Sequence, residues 1–134
     1  MDDETLSLPT GQIPALRMLA MPLDANPYGD IFGGWIMGQV DIAGAIPAVQ
    51  LSQGRVATVA VNHLVFKAPV QIGDLLSFFA QVTRHGNTSI TVAVQVYAER
   101  NPSAPVVVKV CDAELTYVAV DTQGKKRPIP GVTH

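Results

Sequence analysis

From Ile90 to Tyr97 apolar and polar positions alternate one by one, with Ile90, Val92, Val94 and Val96 set against Thr91, Ala93, Gln95 and Tyr97. A period of two is the mark of a strand with one buried face. Three further segments share its β-branched and aromatic character: Val56 to Phe66, Leu75 to Arg84, and a long one from Val106 to Val120. Short turns separate them, at Ile72-Gly73-Asp74, His85-Gly86-Asn87 and Asn101 to Pro105. Strands joined so tightly pair antiparallel. Ahead of them the pattern changes: from about Gly33 to Ser52 the chain is apolar on nearly every side of a helix, with Gly54 as its stop. A short strand at Leu16 to Met21 comes first, followed by a turn cluster from Pro22 to Asp30 that holds Asp24, Asn26, Pro27 and Gly29.

A helix that is apolar all round must be wrapped. The economical solution is an α+β domain in which a curved antiparallel sheet of about five strands encloses one long central helix, the hotdog fold. Residues 1–12 read as a flexible N-terminal segment, 13–121 as the single domain, and 122–134, with Lys125-Lys126-Arg127, as a basic C-terminal tail. Pro47 is out of place inside a helix, where it removes a hydrogen bond at a cost of about 3 kcal/mol and favours a kink.

A chain of 134 residues suits one domain with a real core. Its 48% apolar and 15% charged composition is poor in charge for a small monomer, so further surface is expected to be buried between subunits. The net charge of −2 exerts no general pull on nucleic acid. One cysteine, Cys111, forms neither an internal disulfide nor a metal cluster, which fits a reducing, cytoplasmic setting. The acidic start, Met1-Asp2-Asp3-Glu4, is unlike a secretory signal. The stretch from Ile31 to Leu51 is interrupted by Gln39, Asp41, Pro47 and Gln50 and reads as a core helix, not a membrane span.

The chain has no G-x-S-x-G elbow, Walker loop, zinc spacing or C-x-x-C, so no metal or cofactor is expected. Of three histidines, His134 is terminal, His85 sits in a turn, and His63 lies in a strand and is the one candidate to line a site. Asp24, Asp30, Asp74 and Asp121 occupy turn-like positions, where aspartate bonds nearby backbone. Asp30 is also placed to cap the helix. Asp41 is different, because it falls mid-helix between Val40 and Ile42, where no cap is needed. It is either an exposed or structurally bonded helix residue or a functional carboxylate. Gly33-Gly34 opens the helix and leaves backbone N–H groups accessible to a ligand. Gly34 and Asp41 lie on one face but about 10 Å apart along the axis. One carbonyl needs its oxyanion donor and its attacking group both within about 3 Å. Two antiparallel copies would meet that demand, with Gly34 of one facing Asp41 of the other.

Met21-Pro22, Asn26, Gly29-Asp30-Ile31-Phe32-Gly33-Gly34-Trp35 and Asp41 resemble the YciA-type acyl-CoA thioesterases of the hotdog superfamily. Gly54 to Val59, Phe66, Pro69-Val70, Gly73-Asp74, Thr88-Ser89 and Tyr117 to Asp121 follow in the same order. The resemblance runs from about Leu16 to Pro130 and implies hydrolysis of acyl-CoA to a free acid and CoA, with CoA as part of the substrate. It implies Asp41 as catalytic carboxylate, the Gly34 N–H as oxyanion donor, and Asn26 as a loop residue that positions thioester or water. It implies a CoA path near Thr58, Val59, Asn87, Thr88 and Ser89, across the interface of a homodimer built further into tetramers or hexamers. Ile31, Phe32, Gly33, Trp35 and Met37 are candidates for the acyl wall and site mouth, and Lys67, Arg84 and the terminal basic run for the phosphates. The chain departs from the family at Ala68, where a basic residue usually precedes the proline, at Asn62, often Glu, and at Pro47. Lys67 adjoins Ala68 but is expected to point to the opposite face. The competing readings are a non-catalytic acyl-CoA-binding or sensing protein, and a hydratase using His63.

Overall fold

The structure is a computed structural model, and it describes residues 7–131. Its elements are β1 (Leu16–Leu19), α1 (Gly33–Ser52), β2 (Val56–Phe66), β3 (Leu75–His85), β4 (Ser89–Arg100) and β5 (Val106–Ala119). The five strands form one antiparallel sheet in the order β1-β3-β4-β5-β2, and α1 packs across it. This is the α+β hotdog arrangement expected from the pattern. Of the expected N-terminal segment, residues 1–6 lie outside the described residues, and so do 132–134 of the tail.

The core forms where the sheet's inner face meets one stripe of α1. Ile36, Val40, Ala43 and Ala48 recur at helical spacing and are buried against Leu76, Phe78, Ile90, Val92, Val94 and Leu115. The opposite side of α1 is not covered by its own sheet. Met37 is 45%, Ile42 52% and Val49 42% exposed. The expected wrapping is therefore half supplied within one chain: a sheet has one concave face, and it covers one face of a helix.

β2 is a long edge strand. Among the described residues it pairs only with β5, with register shifts between Thr58 and Ala60 and between Val61 and His63. Val59, Val61, Val65 and Phe66 are exposed along it. An unpaired apolar edge of this length is a template for another chain.

Two expectations about the end of α1 are corrected. The left-handed residue that stops the helix is Gln53 (φ 56°), whose N–H donates to Val49 O at 2.8 Å, and not Gly54. Gly54 is small for another reason: a side chain there would collide with the Arg127 guanidinium. Arg127 is also not part of a free basic tail. It donates to Val120 O (2.8 Å), Ser52 O (3.0 Å) and Arg55 O (3.3 Å), and Ile129 beyond it is buried. Its side chain closes the carbonyl end of α1, where a cation also suits the helix dipole. α1 itself continues through Pro47 to Ser52 as one segment.

Candidate functional site

The start of α1 is left open. Phe32 occupies the N-cap position and supplies no side-chain cap. Its carbonyl takes the N–H groups of Trp35 (3.1 Å) and Ile36 (3.3 Å), while those of Gly33 and Gly34 have no partner among the described residues. Asp30 does not cap the helix as its position suggested. Its backbone is held in the preceding loop, where its N–H donates to Asn26 Oδ1 at 3.1 Å and its carbonyl accepts from Asn26 N at 2.7 Å. Asn26 Oδ1 also accepts from Tyr28 N at 2.8 Å, so one oxygen of Asn26 organises the loop that delivers the chain to Gly33. A Cβ at Gly34 would meet nothing within 4 Å, whereas one at Gly33 would lie 3.4 Å from the Phe66 ring. Free N–H groups and the positive end of the dipole make this turn a place for negative charge.

Two turns further on, Asp41 is half-buried between helix and edge strand. The Thr58 hydroxyl, from β2, donates to Asp41 Oδ1 at 2.7 Å. The Tyr117 hydroxyl, from β5, donates to the backbone carbonyl of the same residue at 2.7 Å. Thr58 and Tyr117 are partners in the β2–β5 register, so the two hydroxyls come from neighbouring positions on the sheet's inner face. Burial, and then the negative charge of Asp41, push the Tyr117 phenol well above its ordinary pKa, so it remains a donor. Tyr117 is the residue that reading the sequence missed. The available signal was Gly44, a glycine deep inside an apolar helix, which is there because a side chain would strike the Tyr117 hydroxyl.

Thr58, expected along the CoA path, is thus bonded to Asp41, and Val59 beside it is exposed on the edge strand. Phe32 is exposed and Trp35 half-buried at the open turn, while Ile31 is plain core. Phe66, Lys67, Ala68, Pro69 and Val70 line, with Ile36, a mostly apolar cavity of about 340 Å³ beside that turn. Lys67 therefore borders the same cavity as Ala68, with its Nζ 3.7 Å from Asp112. Asn87, Thr88 and Ser89 form the β3–β4 turn, tied at Thr88 O to Ala119 N and at Asn87 O to Ile129 N. Arg84 is on β3, within 3.9 Å of Glu114. Within one chain β4 and β5 separate Arg84 from Thr58, so the structure does not gather these residues into one site. His63 pairs in register with Glu114, on the face of β5 opposite Tyr117. Among the described residues no three His, Cys, Asp or Glu side chains gather as a metal ion would require, and no helix is long and apolar enough to cross a membrane.

Residues 28–104 match the family model of the Thioesterase superfamily. The acyl-CoA thioester hydrolase YciA of Salmonella typhimurium is 45% identical over 124 residues, covering 91% of this chain and 92% of that protein. This chain belongs to the thioesterase superfamily, in its YciA-type branch. A hexameric hotdog fold thioesterase of Campylobacter jejuni matches this structure with a TM-score of 0.84 at 49% identity, over 89% of this chain and 90% of that one. The acyl-CoA hydrolase of Staphylococcus aureus, 29% identical with a TM-score of 0.78 over 88% of this chain and 72% of that one, is known as an Asp-to-Ala and as a Thr-to-Ala mutant. The two altered positions in that thioesterase are separated along its chain by the same interval as Asp41 and Thr58 here.

Proposed function

We propose that this chain hydrolyses acyl-CoA thioesters to a free carboxylic acid and CoA, with Asp41 as the working carboxylate. The observation that carries the reading is the mid-helix Asp41 with Oδ1 fixed by the Thr58 hydroxyl. Thr58 holds Oδ1 with a neutral donor, so the carboxylate keeps its capacity to take a proton from water. In the base mechanism the water oxygen attacks the thioester carbonyl as its proton passes to Asp41. The C–S bond then breaks, and the CoA sulfur leaves with a proton. In the nucleophile mechanism a carboxylate oxygen attacks first and water opens the resulting anhydride. Negative charge on the carbonyl oxygen is met by the Gly34 N–H. Neither route needs a metal or cofactor.

The two halves of this machinery come from two copies. About 10 Å along the axis separates Gly34 from Asp41, more than one thioester carbonyl spans. A second chain seated on the exposed side of α1 and along β2 would cover Met37, Ile42, Val49 and the edge valines. It would bring its own Gly34 to Asp41. Asn26 keeps its amide Nδ2 for thioester or water, since only its Oδ1 is engaged among the described residues. Arg84 and Asn87 to Ser89 serve CoA from across that interface.

Thiol release from a panel of short-, medium-, long-chain and aryl acyl-CoAs tests this, with wild type beside Asp41→Ala. Turnover of at least one substrate is expected, lost in the variant. CoA binding without turnover by the wild type would instead identify a sensor.

A further inference from the structure

We infer that Tyr117 is a positioning residue for Asp41, holding it through its backbone carbonyl while Thr58 holds its carboxylate, and that Gly44 is glycine in order to admit the tyrosine hydroxyl. The inference rests on the assignment of Asp41 as the working carboxylate.

The Asp41 carbonyl has no need of a donor from the sheet. It lies inside α1, where the N–H four residues on already serves it. The tyrosine is the group with the need: its ring is fully buried, and a buried hydroxyl requires an acceptor. A phenylalanine would fill the same space with no polar atom. Gly44, moreover, is a poor helix residue in the middle of the longest element. The chain thus accepts a weaker helix and a buried polar group to tie β5 to α1 at one residue, and that residue is Asp41.

The geometry gives the tie its use. Thr58 and Tyr117 are register partners on one face of the sheet, and each bonds a different end of Asp41, Oδ1 and the backbone oxygen. Core packing of Ile36, Val40, Ala43 and Ala48 sets the helix roughly, and one hydrogen bond alone leaves the carboxylate small residual shifts. Two bonds from the sheet remove them. Near-attack geometry tolerates little error, and a misplacement of about 1 Å costs on the order of a hundredfold in rate.

Tyr117→Phe removes the hydroxyl and keeps the ring. Its kcat is expected to fall about tenfold with KM within about twofold of wild type, since nothing that touches substrate has changed. A mere loss of folded protein would also lower kcat at constant KM, but it would do so equally in every background. The decisive readout is a double-mutant cycle on kcat with Asp41→Asn. Added to Asp41→Asn, Tyr117→Phe is expected to leave the residual rate unchanged. Gly44→Ala, which displaces the hydroxyl without deleting it, is expected to lower kcat at least as far, and it provides the second reading if Tyr117→Phe does not fold. A fully active Tyr117→Phe beside an inactive Asp41→Asn overturns the inference alone. So does a Tyr117→Phe effect of equal size in both backgrounds. A fully active Asp41→Asn overturns the assignment of Asp41, and the inference with it.

Discussion

At its C-terminal end α1 is closed by Gln53 in the left-handed conformation, by Ser52 Oγ on the Gly54 carbonyl, and by the Arg127 guanidinium on the carbonyls of Ser52 and Arg55. At its N-terminal end there is no side-chain cap, and the N–H groups of Gly33 and Gly34 have no partner among the described residues. Helix ends normally satisfy their orphan groups. The arginine-closed end has its backbone groups satisfied, and the bare end has N–H groups to offer a ligand. On the proposed function the closed end serves stability and the open end binding, and changes at the two ends should separate accordingly.

The largest effect is expected at Asp41, the carboxylate held between α1 and the sheet. Asp41→Asn should lower kcat by about a hundredfold or more while leaving the melting temperature near that of wild type, as measured by thiol release and calorimetry side by side. Gly34→Pro deletes only an N–H in the first helical turn, where proline is tolerated. Its kcat should fall roughly a hundredfold, whereas Gly34→Ala, which keeps the donor and whose Cβ meets open space within the chain, should lose far less. Equal losses in the two variants would remove the oxyanion role from this turn. Thr58→Val leaves the carboxylate without its donor and should cost about tenfold in kcat.

At the closed end the signs reverse. Arg127→Ala should destabilise the fold by about 2 kcal/mol and lower Tm by several degrees, with turnover per folded site unchanged at a temperature well below the transition. A smaller effect follows from Asp121, which organises the turn that returns Arg127 to the helix. Its side chain accepts from Gln123 N and Lys125 N, and these bonds hold its carboxyl below the ordinary value. A lowered folded-state pKa adds stability above the unfolded value of 3.8, and that stability is lost as pH falls through the folded one. Protection factors for amide exchange in residues 121–129, taken against the intrinsic rate at each pH, should therefore fall below about pH 4, and Asp121→Asn should abolish that dependence.

How much of this was legible in the sequence follows the same division. The alternation at Ile90 to Val96 and the turn glycines fixed β3 to β5, because each of these strands has one face on the core. The helix bounds, Gly33 to Ser52, came from a change in texture that the structure repeats. Tertiary partners were not legible. Nothing local to Arg127 says that it reaches Ser52, 75 residues away. Nothing local to Tyr117 says that it reaches Asp41. Asp30 looked like a cap because Asp before a helix usually is one, yet the loop built on Asn26 had already taken its backbone. The apolar outer side of α1 was visible as composition, but a single sheet covers only one side of a helix, and the proposed function assigns the other side to a second copy.

That second copy is the central claim, and mixing subunits tests it directly. Asp41→Asn and Gly34→Pro proteins, each nearly inactive alone, are unfolded together and refolded in equal amounts. If each site joins Gly34 of one chain to Asp41 of another, half the random dimers are mixed and each mixed dimer carries one intact site. Activity should then recover to about a quarter of wild type. A mixture no more active than its two parents would place both groups of each site in one chain and contradict the account.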